Sequence, residues 1–92
     1  MYRVLLTESA WEDLRSFRRS EQRIIADAVR EQLEHEPMSE TRNRKLLDPN
    51  PIATWALRVR EYRVFYDVAQ EESIVTVRAV GRKRHNDLYV RG

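Results

Sequence analysis

Arginine recurs on one face of three neighbouring segments whose residues alternate between apolar and polar. These segments are residues 54–60, 62–68 and 74–81. Because side chains alternate between the two faces of a strand, an antiparallel meander of the three segments collects Arg58, Arg60, Arg63 and Arg78 opposite its apolar face. A guanidinium binds phosphate or carboxylate through two parallel hydrogen bonds. This face is therefore the predicted working surface, and its predicted ligand is an anion.

Residues just after the third segment add groups that can carry protons. The chain continues with Arg82, Lys83 and His85, and Tyr89 follows. A cluster of cations can hold an RNA phosphate and stabilise the extra charge of a pentacoordinate transition state without a metal. A histidine or tyrosine beside it can move protons between an attacking 2′-hydroxyl and a leaving oxygen. The residues alone leave two alternatives open, namely RNA cleavage and simple binding of an anion or an acidic protein.

The same residues also have purely structural explanations. Arg63 could be a solvated arginine in the middle of the sheet, paired with Asp67 or with a neighbouring acid. Tyr89 could pack on the sheet as an isolated aromatic residue, and His85 could be a solvated residue of the tail. A cationic face by itself therefore predicts an anion-binding surface, but it does not predict a reaction.

Signatures of cofactor and metal sites are missing from the sequence. It contains two glycines and no P-loop or dinucleotide fingerprint. There is no cysteine, and the two histidines, His35 and His85, are far apart, so we predict neither a metal site nor a cofactor. No segment approaches the ~20 apolar residues that cross a bilayer, and the N-terminus lacks the zones of a signal peptide. We expect a cytoplasmic protein with no membrane contact.

Charge is distributed unevenly along the chain although the net charge is only +2. Residues 1–40 contain six arginines and nine acids, whereas residues 41–92 contain eleven lysines and arginines and six acids. The second half, which contains the predicted cationic face, is therefore the basic half.

Four strands and two helices are predicted to position these residues. A strand at 2–6 is followed by a short helix whose capping box is Ser9 with Glu12, and by a second helix that is capped by Ser20 and stopped near Glu36 by a proline. Residues 37–53 are predicted to be a loop that carries Lys45. The order β-α-α-β-β-β predicts an α+β fold, a single domain over 1–92, with a helical hairpin packed on one face of an antiparallel meander.

Three stretches of the sequence carry a resemblance to a known family. They are NRKL at 43–46, ALRVREYRVFYDV at 56–68 and VRAVGRKRHNDLY at 77–89. With the element order, they resemble the RelE/ParE superfamily of bacterial and archaeal toxins over almost the whole chain. The resemblance implies a toxin held inactive by a cognate antitoxin, whose chain wraps the toxin. Operator DNA would be contacted only through the DNA-binding part of that antitoxin.

The resemblance also implies roles for particular residues. Members like RelE cut mRNA in the ribosomal A site, and Arg63 falls on the strand arginine that is credited there with transition-state stabilisation. Tyr89 falls on the C-terminal tyrosine of RelE, and Lys83 on the basic position after the glycine. Two lysines that RelE has on its second strand fall on Thr54 and Ala56 and are therefore absent.

Other basic residues could compensate in part for the absent lysines. The candidates are Lys45, which matches a lysine of the preceding loop, Arg58 and His85. In the implied reaction, the 2′-hydroxyl attacks the adjacent phosphate and leaves a 2′,3′-cyclic end. The catalytic candidates are Arg63, Lys83, Tyr89 and His85, and the RNA-binding candidates are Lys45, Arg58, Arg78 and Arg82.

Two further functions remain open from the sequence. Members like ParE poison DNA gyrase and lack the nuclease residues, so this chain could be a gyrase inhibitor without chemistry of its own. It could also be a homologue that has lost toxicity and serves only as the antitoxin's partner and co-repressor.

Overall fold

The computed structural model describes residues 1–84 and 87–89. Its elements are β1 (Arg3–Leu6), α1 (Glu8–Arg15), α2 (Arg19–Leu33), β2 (Arg44–Leu46), β3 (Trp55–Val59), β4 (Tyr62–Ala69), β5 (Ile74–Arg84) and β6 (Asp87–Tyr89). They form one mixed sheet in the order β1-β5-β4-β3-β2, and β6 pairs with β5. Only β1 pairs in parallel, with β5. The predicted α+β fold, with its helical hairpin and antiparallel meander, is confirmed.

The first helix begins earlier than predicted. Thr7 has an extended backbone, and its hydroxyl oxygen accepts a hydrogen bond from the Ala10 N–H at 3.1 Å, which satisfies one of the free N–H groups of the first turn. The predicted capping box was wrong, because Ser9 already lies within α1.

The second helix also begins one residue before its predicted cap. It starts at Arg19, so Ser20 lies inside it, and the Glu21 carboxylate accepts a hydrogen bond from the Arg18 N–H at 3.0 Å. A carboxylate in the first turn is stabilised by the positive end of the helix dipole. The helix ends at Leu33, three residues before the predicted Glu36.

The hydrophobic core lies between the helices and one face of the sheet. The fully buried side chains of Leu57, Val64 and Tyr66 line its sheet side, and those of Ile25 and Leu33 line its helix side. Complete burial of an aliphatic side chain contributes about 1.5–3 kcal/mol to folding. The helices therefore occupy one face of the sheet, as the alternating pattern predicted, and leave the other face for polar residues.

A bulge in β5 changes which residues face the core. Phe65 pairs with Ala79 and Tyr66 pairs with Val77, so Arg78 is an extra residue on β5. Before the bulge, odd-numbered residues such as Val77 face the core, and after it even-numbered residues do. This change of parity explains why the alternation in this segment is irregular.

Strand β2 was missed by the sequence analysis, which assigned residues 37–53 to a loop. Arg44 and Lys45 point to opposite faces of this short strand. The Arg44 guanidinium is buried and donates to Ser39 O at 2.9 Å, Gln32 O at 2.9 Å and Gln32 Oε1 at 2.8 Å. It therefore ties β2 to the end of α2, and Lys45 is exposed on the polar face of the sheet.

Candidate anion-binding face of the sheet

Four adjacent strands each place on the polar face of the sheet one cation that has no acidic partner among the described side chains. We call this set the cationic row, and its members are Lys45 of β2, Arg58 of β3, Arg63 of β4 and Lys83 of β5. Arg58 lies directly opposite Arg63, and Lys45 lies opposite Ala56, two residues before Arg58. The row spans three strand spacings of about 4.8 Å, or about 14 Å across the strands, and it runs obliquely because Lys45 and Lys83 lie at different levels along them. It can therefore contact several phosphates of one nucleic-acid strand, whose charges are about 3.4 Å apart along a duplex.

The centre of the row brings two like charges together. Side chains directly opposite on antiparallel strands have their Cβ atoms about 4.5–5.5 Å apart, and like charges there destabilise the sheet. The Arg63 guanidinium donates to Arg60 O at 2.9 Å and to Tyr62 O at 2.8 Å, which fixes its position. Burial, and then the charge of Arg58, lower the pKa of Arg63 from its usual value, although an arginine stays protonated.

No carboxylate among the described side chains forms an ion pair with a member of the row. The four charges are therefore not neutralised within this part of the protein. An anion that bound the row would relieve the repulsion between Arg58 and Arg63.

Lys83 reaches the row because of the bulge. Its backbone N–H donates to Glu61 O at 2.7 Å, which continues the β4–β5 pairing by one residue. Residues of β5 alternate after the bulge, so Val80 and Arg82 face the helices, and Gly81 and Lys83 face the row. Gly81 lies opposite Arg63 and has no side chain, so no side chain of β5 stands between Arg63 and Lys83.

Arg78 lies on the same face as the row but its charge is paired. Its Nε donates to Asp67 Oδ2 at 2.9 Å, and Asp67 Oδ1 accepts from the Thr54 N–H at 2.8 Å. Burial would raise the pKa of Asp67, but the hydrogen bonds from Thr54 and Arg78 outweigh it and hold that pKa below its usual value. Between this pair and the row, the buried Phe65 and Ala79 form an apolar floor.

Arg82 lies on the opposite face of the sheet, toward the helices. Its guanidinium donates to Glu61 Oε2 and Glu21 Oε2, each at 2.6 Å, and lies 5.4 and 5.2 Å from the ring centres of Phe17 and Tyr62. We call these five residues the Arg82 clamp. The hydrogen bond to Glu21 is the main cause that raises the pKa of Arg82. Of the predicted RNA-binding residues, Arg82 is thus placed away from the row.

The sequence matches a known family over most of its length. The family is described as ParE toxin of type II toxin-antitoxin system, parDE, and the match covers residues 4–87. The chain belongs to this toxin family, which is part of the RelE/ParE superfamily. No curated protein matches the toxin's sequence significantly.

Two solved structures are similar to the toxin. The toxin–antitoxin complex RelBE2 from Mycobacterium tuberculosis contains a chain that is 25% identical, with a TM-score of 0.76, and the match covers 90% of this chain and 98% of that one. The archaeal RelE–RelB complex from Pyrococcus horikoshii contains a chain that is 24% identical, with a TM-score of 0.66, and the match covers 99% and 96%. The similarity to the Pyrococcus chain shows a shared fold and nothing more.

The remaining catalytic candidates lie near the end of the described chain. Tyr89 is the last residue of β6, and its backbone pairs with Arg82, one residue along β5 from the position opposite Arg63. His85 lies outside the described residues. The structure thus brings Arg63, Lys83, Arg58 and Lys45 of the toxin onto one face.

The sequence analysis did not identify the role of Arg60, which lies in the turn and holds Arg63. Arg60 has a positive φ of 56°, a conformation that costs a non-glycine residue about 1–2 kcal/mol, and its carbonyl accepts one of the two hydrogen bonds of Arg63. The available signal was the two-residue connection Arg60–Glu61 between strongly alternating strands, because short hairpin turns require positive φ angles.

Proposed function

We propose that this toxin is a ribosome-dependent, metal-independent mRNA endonuclease that acts in the cytoplasm and inhibits translation. The observation that carries the proposal is the cationic row, in which four cations from four strands face one surface and have no carboxylate partner among the described side chains. Such a surface suits the RNA backbone, and the fixed guanidinium of Arg63 suits a phosphate that gains charge.

In the proposed reaction, the 2′-oxygen of one nucleotide attacks the adjacent phosphorus. The P–O5′ bond breaks, the 2′-hydroxyl loses its proton to a base, and the 5′-oxygen gains one from an acid, which leaves a 2′,3′-cyclic phosphate and a 5′-hydroxyl. Arg63 and Lys83 stabilise the charge of the phosphorane. Tyr89 or His85 carries the protons, and Lys45 and Arg58 bind the flanking RNA.

The register of β2 supports a role for Lys45. One of the two lysines of RelE-like nucleases falls on Ala56, and Lys45 lies directly opposite Ala56 on the same face of the sheet. Directly opposite residues have their Cβ atoms about 4.5–5.5 Å apart, so a lysine on β2 can bring its amine close to the place that a lysine on β3 would reach. The proposal therefore assigns to Lys45 part of the function of the missing lysine.

A cognate antitoxin is the proposed regulatory partner, and contact with operator DNA is proposed to occur only through it. Both solved relatives are toxin–antitoxin complexes. An apolar groove of about 590 Å³ lies between β1, α1 and α2, and Trp11 is exposed beside it. Exposed apolar surface of this kind is typical of a protein–protein interface. The groove is distant in the fold from the row, because it is on the helix side of the sheet.

Primer extension on a defined mRNA tests the proposed nuclease. Purified toxin is incubated with the mRNA, with and without translating ribosomes, beside the variants Arg63→Ala and Arg30→Ala. Arg30 is the matched control because it is an exposed arginine on the helix side, and among the described side chains its ion pair is with Asp27. We expect cuts that require ribosomes, disappear in Arg63→Ala and persist in Arg30→Ala.

A second candidate function is inhibition of DNA gyrase, and the description of the matched family as the ParE toxin favours it. A gyrase supercoiling assay separates the two, because the proposed nuclease leaves supercoiling unchanged. Growth arrest with intact mRNA and lost supercoiling would replace the nuclease proposal with gyrase inhibition. Overproduction without any growth defect would indicate the third function, that of an antitoxin partner and co-repressor.

A further inference from the structure

The Arg82 clamp joins four parts of the fold at the end of β5 where Lys83 lies. Glu21 belongs to α2, Glu61 to the β3–β4 turn, Tyr62 to β4, and Phe17 to the connection between the helices. The Tyr62 hydroxyl donates to Glu21 Oε2 at 2.7 Å, and the same oxygen accepts from Arg82. The rings of Phe17 and Tyr62 meet edge to face at 5.6 Å. The clamp is therefore a connected network, and each of its polar groups has a partner.

The clamp is also partly shielded from water. The side chains of Arg82 and Glu21 are 21% and 17% exposed, and that of Glu61 is 50% exposed. Bonds from a guanidinium to carboxylates are stronger than neutral hydrogen bonds, and they fix the planar group in one orientation. Arg82 is thus held more firmly than an exposed arginine at the end of a strand.

The position of Arg82 determines the direction of Lys83. Consecutive residues of a strand point to opposite faces, so a strand whose residue 82 is fixed toward the helices must direct residue 83 toward the cationic row. The Lys83 N–H to Glu61 O hydrogen bond continues the β4–β5 pairing by one residue, and Lys83 pairs with Leu88 of β6 on its other side. Glu61 contributes to both contacts, with its carbonyl to Lys83 and its carboxylate to Arg82.

We propose that Arg82, held by Glu21 and Glu61, is a positioning residue that directs the Lys83 ammonium onto the cationic row for RNA cleavage. The inference rests on the proposed nuclease function and adds a residue on the opposite face of the sheet to it. Lys45 and Arg58 lie on strands outside the clamp, and the Arg63 guanidinium is held by the backbone carbonyls of Arg60 and Tyr62 and not by Arg82, so loss of the Arg82 side chain affects the cleavage step more than RNA binding. A misplacement of about 1 Å in a reacting group can lower a rate by about a hundredfold.

The kinetic test uses Arg82→Gln and the milder Glu61→Gln, with Glu31→Gln as a control on the exposed side of α2. Cleavage is measured under single turnover on mRNA already bound to ribosomes, and affinity is measured separately. We expect Arg82→Gln to lower the cleavage rate at least tenfold and the affinity less than threefold, Glu61→Gln to lower the rate less, and Glu31→Gln to change neither. An unchanged cleavage rate in Arg82→Gln would overturn the proposal.

A double variant distinguishes positioning from a general structural effect. If Arg82 acts through Lys83, then Arg82→Gln adds no further loss of rate once Lys83→Ala has been introduced. Losses that multiply in the double variant would show that Arg82 acts independently of Lys83 and would overturn the inference.

Hydrogen exchange separates failure of the clamp from failure of the nuclease proposal. We expect Arg82→Gln to speed exchange of the Lys83 amide at least tenfold and to leave the amide of the fully buried Val64 unchanged. This readout does not require RNA. If exchange of the Lys83 amide is unchanged in Arg82→Gln, the positioning role of the clamp is overturned, even if the wild type cleaves mRNA. If exchange is faster in the variant but the wild type does not cleave mRNA, the nuclease proposal and the kinetic role of Arg82 are overturned together.

Discussion

At the scale of single residues, the cationic row places like charges directly opposite each other. Arg58 and Arg63 face each other directly, and neither has a carboxylate partner among the described side chains. Arg78 and Arg82, on nearby positions, are each neutralised by at least one acid. The four cations of the row therefore lie on one face without an acidic partner among the described side chains, whereas Arg78 and Arg82 close to them are paired.

This repulsion predicts that Arg58→Gln stabilises the folded protein. We expect the free energy of unfolding to rise by about 0.5 kcal/mol at low salt, because like charges directly opposite destabilise a sheet by that order. Urea unfolding at low salt measures the gain, and it should vanish in about 1 M salt, where charges are screened within ~3 Å. The matched variant Arg78→Gln should instead destabilise slightly, because Asp67 loses its partner. A destabilised Arg58→Gln would contradict this account.

The Glu21 carboxylate predicts a pH dependence of stability. Hydrogen bonds from Arg82, Tyr62 and the Arg18 backbone lower the pKa of Glu21 from 4.5 to about 2. A folded pKa below the unfolded one contributes stability that is present above about pH 4.5 and is lost as the pH falls toward 2.

Urea unfolding of wild type and Glu21→Gln as a function of pH measures this contribution. We expect the difference in unfolding free energy between them to be constant above about pH 5 and to shrink as the pH falls toward 2, where Glu21 becomes protonated. Stability curves that run parallel across this window would show that Glu21 is not the group responsible.

At the scale of elements, two irregularities in the meander place the row. The bulge at Arg78 reverses the parity of β5 and brings Lys83 to the face of Arg63. The turn at Arg60 adopts a positive φ, and its carbonyl holds the Arg63 guanidinium. Regular strands with the same residues would have placed Arg82 on the row instead of Lys83.

The strained turn predicts that Arg60→Gly stabilises the protein. Relief of about 1–2 kcal/mol of strain, less about 0.5–1 kcal/mol for the greater freedom of glycine in the unfolded chain, leaves a net gain of about 0–1.5 kcal/mol. Thermal and urea unfolding measure this gain, and Arg60→Ala, which keeps a Cβ atom, should show almost none. A loss of stability in Arg60→Gly would indicate that the Arg60 side chain has a role that its backbone does not explain.

Much of the architecture was predictable because alternation is strong where the strands are regular. The pattern around Tyr62–Ala69 predicted β4 and the face of Arg63, and the repeating apolar residues of α2 predicted a helix. Strand β2 has only three residues, too few for a periodic signal. The bulge disturbed the alternation in β5. The first residue of each helix depends on which of several polar side chains caps the first turn, and the tertiary contacts of Thr7 and Glu21 decide this.

At the scale of the whole molecule, the two faces of the sheet differ in their chemistry. One face packs on the helices and leaves an apolar groove at the β1 edge, and the other presents the cationic row. No helix of the described residues is long and apolar enough to cross a membrane. Because the groove and the row lie on different sides of the sheet, the proposed antitoxin contact and the proposed RNA contact can be disrupted separately.

Because the groove and the row are separate, we expect a substitution in the groove to weaken binding of the antitoxin and to leave the proposed mRNA cleavage unchanged. Trp11 lines the groove and is 47% exposed, and truncation of such an aromatic at an interface costs about 2 kcal/mol, roughly a thirtyfold loss of affinity. Calorimetric titration of Trp11→Ala with the cognate antitoxin measures the loss. Leu46→Ala, at an equally exposed residue of β2, should change affinity less than threefold. Equal losses in both variants would contradict the assignment of the groove.

The central claim is that the cationic row cuts mRNA on the ribosome, and the chemistry of the product tests it most directly. Ribosome-bound mRNA is incubated with the toxin, and the 3′ end of the upstream fragment is identified by mass spectrometry, with Arg63→Ala in parallel. The account predicts a fragment that ends in a 2′,3′-cyclic phosphate and is absent with the variant. Intact mRNA from wild-type protein that still arrests growth, or a fragment that forms equally with Arg63→Ala, would contradict it.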